Sequence, residues 1–526
     1  MDFFGTFWAL VPAVLAIALA LITKEVYSSL FIGVLAGGLL ATGFSIPGTF
    51  NTVINDGLIK AVSGNAGIFV FLAILGIIVA LINKAGAAKA FGDFADRHIK
   101  TKAGALICTC IFGILIFIDD YFNCLTVGAV MTPVTDKKKI SRAKLAYIID
   151  ATAAPVCMIA PISSWAAAVS GYVDSEKMSG FELFVKAIPF NFYSILTLGF
   201  VIMISLLGFD YGKMRKSEMK AAEGDLGADA VLTDDEELKT NDASSDTMNA
   251  VKTEQERRGK SKGHAKVLDM LAPILVLIGL CVVALIYNGG FFDSESANYH
   301  DFIAAFGDTD ATVALPLGGL ATLILIIIYL AIRKLVSLKD AMRCIPAGFK
   351  TMVPAMLILT LATALKNMTG LLGSTEFVES FMSGASDSLY KMLPAVIFLV
   401  AVVISFSTGT SWGTFGILIP IVTSIFKVGD PLLYVGVSAC LAGAVCGDHC
   451  SPISDTTIMS SAGAQCNHVE HVSTQLPYAI TVAGFSFVAF IVSGFFPNIY
   501  VVMPVMLVLM FGFLLVMKYL AKKKEA

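Results

Sequence analysis

Charge is what this chain has least of. Only 15% of its 526 residues are Asp, Glu, Lys or Arg, while 56% are hydrophobic, a balance that excludes an ordinary water-soluble fold. The net charge of −3 says little about partners, and nucleic acid is not expected among them. A disulfide framework is also missing: the ten cysteines fall mostly inside apolar runs, as at Cys108, Cys110, Cys281 and Cys440, where a thiol behaves as a small hydrophobe. The first apolar run, Phe7 to Ile22, lacks the basic start and small-residue cleavage site of a secretory signal and is read as a retained helix.

What the chain has instead is apolar length. Runs at about 7–23, 27–44, 66–83, 103–134, 143–170, 183–208, 267–287, 309–332, 351–366, 392–426, 431–460, 476–495 and 499–517 approach or exceed the roughly 20 residues that cross a bilayer. The expected fold is an all-α polytopic membrane protein. Between 209 and 266 lies an Asp/Glu/Lys-rich segment with few large apolar residues, which cannot bury a core and reads as a partly disordered linker.

The linker separates two halves that resemble each other. Leu10-Val11-Pro12 recurs as Leu271-Ala272-Pro273, and Ala36-Gly37-Gly38-Leu39 as Leu317-Gly318-Gly319-Leu320. Phe117 to Pro133 aligns without gaps on Ile404 to Pro420, and Pro161-Ile162-Ser163-Ser164 on Pro452-Ile453-Ser454-Asp455. Runs 103–134 and 392–426 are too long for one crossing and break at small or polar residues, so each reads as a re-entrant hairpin. The predicted architecture is two inverted repeats, 1–208 and 267–495, each with five transmembrane helices plus a hairpin. A C-terminal helix and basic tail follow at 496–526. With the N-terminus outside, 31 of the 37 Lys and Arg fall on the inner side, which also places the linker and C-terminus in the cytoplasm.

Ionisable groups at membrane depth cost roughly 2.5 to 3.5 kcal/mol each on insertion scales and so mark ion or substrate paths. Gly447-Asp448-His449-Cys450-Ser451-Pro452-Ile453-Ser454-Asp455-Thr456 concentrates them in one broken run, with a weaker break at Ala160 to Ser164. A helix broken at the midplane offers unpaired carbonyls at one half-helix end and unpaired N–H groups at the other, and Na⁺ prefers the carbonyls. The candidate ion-binding residues are Asp448, Asp455, Ser451, Ser454, Thr456, Asp119, Asp120, Asn123, Asp150, Thr408, Ser411 and Ser163. Asp448 and Asp455 are the candidate proton carriers. Desolvation favours the protonated carboxyl and a bound cation favours the carboxylate, so proton and Na⁺ compete for one group, which is the logic of antiport.

Other side chains receive plainer readings. Cys446, His449, Cys450, Cys466, His468 and His471 supply zinc-type ligands, but their spacing does not fit a Cys-x-x-Cys knuckle and no zinc site is expected. His468 and His471 read as surface residues or a pH-responsive element. Trp165 and Trp412 read as packing groups, and Lys186 as a snorkelling side chain.

Phe117-Ile118-Asp119-Asp120-Tyr121-Phe122-Asn123, Ile149-Asp150-Ala151-Thr152-Ala153-Ala154-Pro155 and, above all, the 447–457 motif resemble the NhaC family of Na⁺/H⁺ antiporters, within the ion-transporter superfamily. The resemblance spans nearly the whole chain outside the linker and termini. It implies a secondary transporter of the bacterial inner membrane with inverted repeats and discontinuous helices. It also implies no cofactor beyond the transported Na⁺ and H⁺, and a homodimer with an elevator-like motion. Relatives of this kind also resemble exchangers coupling Na⁺ and protons to small organic acids such as malate and lactate, so a small organic solute stands as the alternative cargo. An enzyme is not expected: Asp448, His449 and Ser451 are too close in sequence for a hydrolytic set, and no Gly-x-Ser-x-Gly elbow surrounds the serine.

Overall fold

The computed structural model describes residues 3–23, 26–172, 178–227, 265–307, 309–374, 376–377, 380 and 386–525. The centre of the expected linker, 228–264, and the lysines Lys24 and Lys177 used in the charge count lie outside them. No strand occurs among the described residues.

The first half runs through α1 (Val11–Thr23), α2 (Val26–Ala41), α3 (Ile46–Thr52), α4 (Lys60–Gly64), α5 (Ala66–Ala85), α6 (Ala87–His98) and α7 (Lys102–Leu115). It continues through α8 (Asp120–Lys137), α9 (Arg142–Thr152), α10 (Ala154–Cys157), α11 (Ser164–Ser170), α12 (Gly180–Ala187), α13 (Phe192–Leu207) and α14 (Gly212–Glu223). The second half holds α15 (Leu268–Asn288), α16 (Phe302–Gly307), α17 (Ala311–Ile332), α18 (Leu338–Leu371), α19 (Asp387–Thr408) and α20 (Ser411–Ile425). It closes with α21 (Pro431–Cys450), α22 (Asp455–Ala464), α23 (His468–Phe495) and α24 (Ile499–Glu525).

Among the described residues, α5, α15, α17, α19, α21, α23 and α24 are long and apolar enough to cross a bilayer. Two further spans are bent, Gly180–Phe190 with Phe192–Leu207 by 45° and Leu338–Val353 with Met356–Leu371 by 42°. The first bend sits at Asn191, whose carboxamide oxygen accepts the Ser194 N–H at 3.1 Å and starts the second segment.

Several boundaries differ from expectation. Residues 46–64, which carry no long apolar run, form α3, a π-helical stretch Val53–Ile59 and α4, started by Ser45 accepting from the Gly48 N–H at 3.3 Å. The apolar run 351–366 belongs to the 34-residue α18. The linker does not begin at 209: α14 is a helix whose buried face of Met214, Ser217, Glu218 and Ala221 packs on the protein. There Glu218 accepts from the Ser141 N–H at 2.8 Å and hydroxyl at 2.7 Å, Ser217 donates to Glu470 at 2.6 Å, and buried Lys144 pairs with Asp210. Such partners explain how polar residues escape the cost of burial.

Helix α21 is the most enclosed of the spans, buried along nearly its entire length. Glycines make this enclosure: a Cβ at Gly443 would lie 2.4 Å from the Phe398 carbonyl oxygen, and one at Gly447 2.3 Å from that of Val402. The α19 backbone therefore presses directly on α21, as small residues permit between membrane helices.

Candidate functional site

Each half contains a helix pair with an interrupted turn and a helix interrupted in its middle. In the first half the α7–α8 pair turns at 116–119, and the chain breaks between α10 and α11. Ser163 caps α11 by accepting from the Ala166 N–H at 3.1 Å, and the Ser164 N–H reaches the Ile118 carbonyl at 3.1 Å, joining turn to break. In the second half the α19–α20 pair turns at Gly409, whose φ of +68° favours glycine, and the break lies between α21 and α22. There Ser454 caps α22 through the Thr457 N–H at 3.4 Å, and Ser451 donates to the Phe406 carbonyl at 2.7 Å. A Cβ on Gly409 would meet the Ile453 carbonyl oxygen at 2.5 Å, so turn and break touch here too.

The carboxylates gather where these pieces meet. Asp448, on the last turn of α21, is 4% exposed and accepts at Oδ2 from Ser411 of α20 at 2.9 Å and Thr456 of α22 at 3.4 Å. Its Oδ1 has no hydrogen-bond partner. Asp120 opens α8 at 1% exposure, also with an unpartnered Oδ1, and lies within electrostatic reach of Asp119 and Asp448. Asp455 receives the Tyr121 hydroxyl at 3.5 Å. Asp150, near the end of α9, accepts at Oδ2 from Thr457 and from the Gln475 amide, both at 3.0 Å, with His471 Nε2 at 3.9 Å. An unmet buried polar atom costs about 1–3 kcal/mol, so a cation or a proton at the open oxygen of Asp120 or of Asp448 would be stabilising, although among the described residues no three His, Cys, Asp or Glu side chains cluster as a metal ligand set.

The remaining sequence candidates are placed as follows. Asn123 gives its amide to the carbonyls of Gly113 at 2.7 Å, Ile116 at 3.1 Å and Thr152 at 2.9 Å, pinning the first turn to α9, with its Oδ1 unpartnered. Ser163 donates to the Cys157 carbonyl at 2.8 Å, and Thr408 to that of Ile404 at 2.9 Å. Trp165 and Trp412 pack together at 5.5 Å between centroids, each also against Phe415. Lys186 pairs with Glu182 at 2.5 Å.

Two readings change. His471 is not a surface residue: it is fully buried in the first turn of α23, while the half-buried His468 holds the Pro452 carbonyl at 2.7 Å. The alignment of Phe117–Pro133 on Ile404–Pro420 is also displaced, because it sets the start of α8 opposite residue 407, whereas α20 starts at Ser411. Sliding an apolar helix by one turn returns similar residues to similar places, and the caps set the better register. Ser411 follows Asp120, and Ser454 follows Ser163, by the same 291 positions. Gln475 was not anticipated, because it follows Ser473 and Thr474 just ahead of the apolar run 476–495 and reads as part of a polar helix start. It joins Asp150 to the His449 carbonyl, the latter at 2.8 Å.

Broken helices meeting at buried carboxylates, among spans long enough to cross a bilayer, define a membrane transport protein rather than an enzyme. The chain belongs to the Na⁺/H⁺ antiporter family, whose family model matches residues 166–495. It is 35% identical to an uncharacterized protein of Haemophilus influenzae over 508 residues, covering 94% of this chain and 92% of that one. It is 32% identical to the malate-2H⁺/Na⁺-lactate antiporter of Bacillus subtilis over 175 residues, 31% of this chain and 36% of the relative. An uncharacterized Na⁺/H⁺ antiporter of Haemophilus influenzae is 36% identical over 138 residues, 26% of this chain and 29% of the relative.

Proposed function

We propose that the protein exchanges Na⁺ for H⁺ across the bacterial inner membrane by letting both compete for Asp448. The observation that carries this reading is the Asp448 carboxylate itself: buried, held at one oxygen by Ser411 and Thr456, and open at the other, within electrostatic reach of Asp120, Asp150 and Asp455. Na⁺ would take an oxygen of Asp448 with Ser411, Thr456 and carbonyls of the broken helices as neighbours, while Asp120 and Asp455 add negative charge within electrostatic reach. Asp150 adjoins this group, within electrostatic reach of Asp448, and has its own contacts in the hydroxyl of Thr457, the amide of Gln475 and the His471 imidazole. Protonation of Asp448 removes a charge on which Na⁺ depends, so one face loads Na⁺ and the other loads H⁺.

The parallel turn-and-break pairs support two inverted repeats around this site, and the 31 inner cations of 37 support a cytoplasmic linker and C-terminus. Homodimerisation with an elevator-like motion belongs to the same reading. Purified protein in proteoliposomes is the test: an imposed Na⁺ gradient should drive counter-movement of protons, and Asp448→Asn should abolish it while the protein still inserts. Near-normal exchange by that variant removes Asp448 as the shared carrier.

A second reading, favoured by the match to the malate and lactate antiporter, couples Na⁺ and H⁺ to a small organic acid. The N-terminus of α22 would face its carboxylate. Proton flux that requires malate, lactate or another small acid in the same vesicles selects it.

A further inference from the structure

A line of hydrogen-bonding groups leads from Asp150 toward the protein surface without passing through Asp448. His471 Nε2 lies 3.9 Å from Asp150 Oδ2, and His471 Nδ1 lies 2.8 Å from the Ser461 hydroxyl. The same hydroxyl is 3.0 Å from His468 Nδ1, and His468 Nε2 is 2.7 Å from the Pro452 carbonyl oxygen. Asp150, Ser461 and His471 are buried, whereas His468 is half-buried next to Asn467 and Val469, which are exposed. The chain thus begins inside the protein and ends at its edge.

Donor and acceptor chemistry gives this line a direction. A carbonyl oxygen only accepts, so His468 Nε2 carries a hydrogen, and in the neutral ring Nδ1 is then a bare acceptor. Ser461 has a single hydrogen, which the Thr457 carbonyl at 2.8 Å also accepts, so rotation of the hydroxyl from that carbonyl to His468 Nδ1 closes the line. If it donates to His468 Nδ1, its oxygen accepts from His471 Nδ1–H, which leaves the bare Nε2 of His471 facing Asp150. With the hydroxyl turned to His468, the two histidines hold opposite tautomers, Nε2–H on His468 and Nδ1–H on His471. That ordered state is the one in which a proton can pass from a carboxylic acid to solvent.

We propose that His471 and Ser461 form a proton relay that connects Asp150 in the interior with His468 at the surface. The proposal rests on the exchange reading above: adjacent Thr456 and Thr457 bond Asp448 and Asp150, and emptying or loading Asp150 through the relay changes the charge that Asp448 feels. A side-chain shift of about 1 Å brings Asp150 and His471 to hydrogen-bond distance. The Asp150 proton then moves to His471 Nε2, the His471 Nδ1 hydrogen moves to Ser461, and the original Ser461 hydrogen moves to His468 Nδ1. One proton has left Asp150, and His468, now an imidazolium, releases one to water. The reverse sequence loads Asp150, and rotation of the hydroxyl with tautomer exchange resets the line. The other titratable groups near His471 are His449 of α21, whose Nδ1 meets the Tyr193 hydroxyl at 2.8 Å, and Glu470, which accepts from Ser217 of α14.

The test pairs transport with spectroscopy. In proteoliposomes, Ser461→Ala and His471→Gln should each slow Na⁺-driven proton movement by at least about tenfold, the lower end of what a positioned proton donor supplies. Na⁺ binding to the same proteins, read by calorimetry, should stay within about twofold of wild type, a separation that general structural damage would not produce. His468→Ala should be slow and regain its rate when imidazole is added. Proton flux within about twofold of wild type in both Ser461→Ala and His471→Gln overturns the relay. In parallel, nitrogen NMR of ¹⁵N-histidine protein, assigned with His468→Gln and His471→Gln, reads the tautomers without any transport. Nε2–H on His468 with Nδ1–H on His471 supports the relay, and a shared tautomer overturns it. A wild-type protein that moves no protons with Na⁺ overturns the exchange reading instead, and the NMR result then decides the relay alone.

Discussion

Gly128 of α8 and Gly463 of α22 meet backbone to backbone. A Cβ on Gly128 would lie 2.4 Å from the Gly463 carbonyl carbon and 2.6 Å from its Cα, and one on Gly463 would lie 2.6 Å from the Cys124 carbonyl oxygen. These two half-helices come from different halves of the chain, and along their seam Cys124 reaches the Thr456 carbonyl at 3.7 Å and the Ser460 hydroxyl at 3.1 Å. Because nothing but backbone fills the crossing, it sets how closely Asp120 at the start of α8 approaches the break before α22. Gly128→Val should therefore cost about 1–3 kcal/mol by overpacking and reduce Na⁺ affinity as well as thermal stability. Thermal unfolding in detergent, with and without Na⁺, reads both effects.

Ser411→Ala should weaken Na⁺ binding by about three- to tenfold, the equivalent of one lost hydrogen bond that positions a carboxylate. Its hydroxyl also spans to the Ala444 carbonyl at 3.2 Å, tying α20 to α21 beside Asp448. Calorimetry of purified variant and wild type makes the comparison. An unchanged affinity means that Ser411 serves only to join the two helices.

Proton competition fixes the sign of the pH dependence. Na⁺ needs the ionised carboxylate, so affinity should fall as pH falls, by up to about tenfold per pH unit for one exchanged proton, and level off at high pH. Asp448→Asn should flatten that dependence. Calorimetric titrations at several pH values check both slopes.

Away from the transport site, Asp269 is fully buried and grips Arg333 with two bonds of 2.9 and 2.8 Å, while the Tyr329 hydroxyl donates at 2.6 Å. Replacing Arg333 by Ala leaves that carboxylate short of its partner and should lower the melting temperature. Na⁺ affinity should not change, since the pair joins α15 to the end of α17. A melting curve and a Na⁺ titration on the same sample separate these outcomes.

The helical membrane fold and the breaks were legible in the sequence because their signals are local: apolar runs of spanning length, Gly409, and the Ser-Pro at 451–452. Caps at Ser163, Thr410 and Ser454 follow from serine and threonine placed just before a helix. Asp448 and Asp120 stood out as charges in apolar surroundings. What stayed hidden depends on the partner rather than the residue. His471 lies a few positions from exposed Asn467 and Val469, and only the packing of α23 on α9 turns it inward. The helix at 212–223 was obscured by its lysines, which line its outer side while Ser217 and Glu218 find partners on the inner one. Hydropathy likewise missed residues 46–64, whose helices are short and interleave apolar residues with Asn51, Asn55, Asp56 and Lys60.

The α14 contacts give the two covalent halves of the molecule a second means of staying together. Asp210 binds Lys144 and also receives the Tyr478 hydroxyl at 2.6 Å, Ser217 holds Glu470, and the Arg142 guanidinium donates to the Ala464 carbonyl at 2.7 Å. Apart from the Lys144–Asp210 pair, these cross from the half that precedes the linker to the half that follows it. Severing the chain between 228 and 264 would leave every one of them intact. The protein should therefore behave as a natural two-piece assembly: fragments expressed from separate genes would find each other in the bilayer and dock through this surface, with the linker serving to keep them in equal supply.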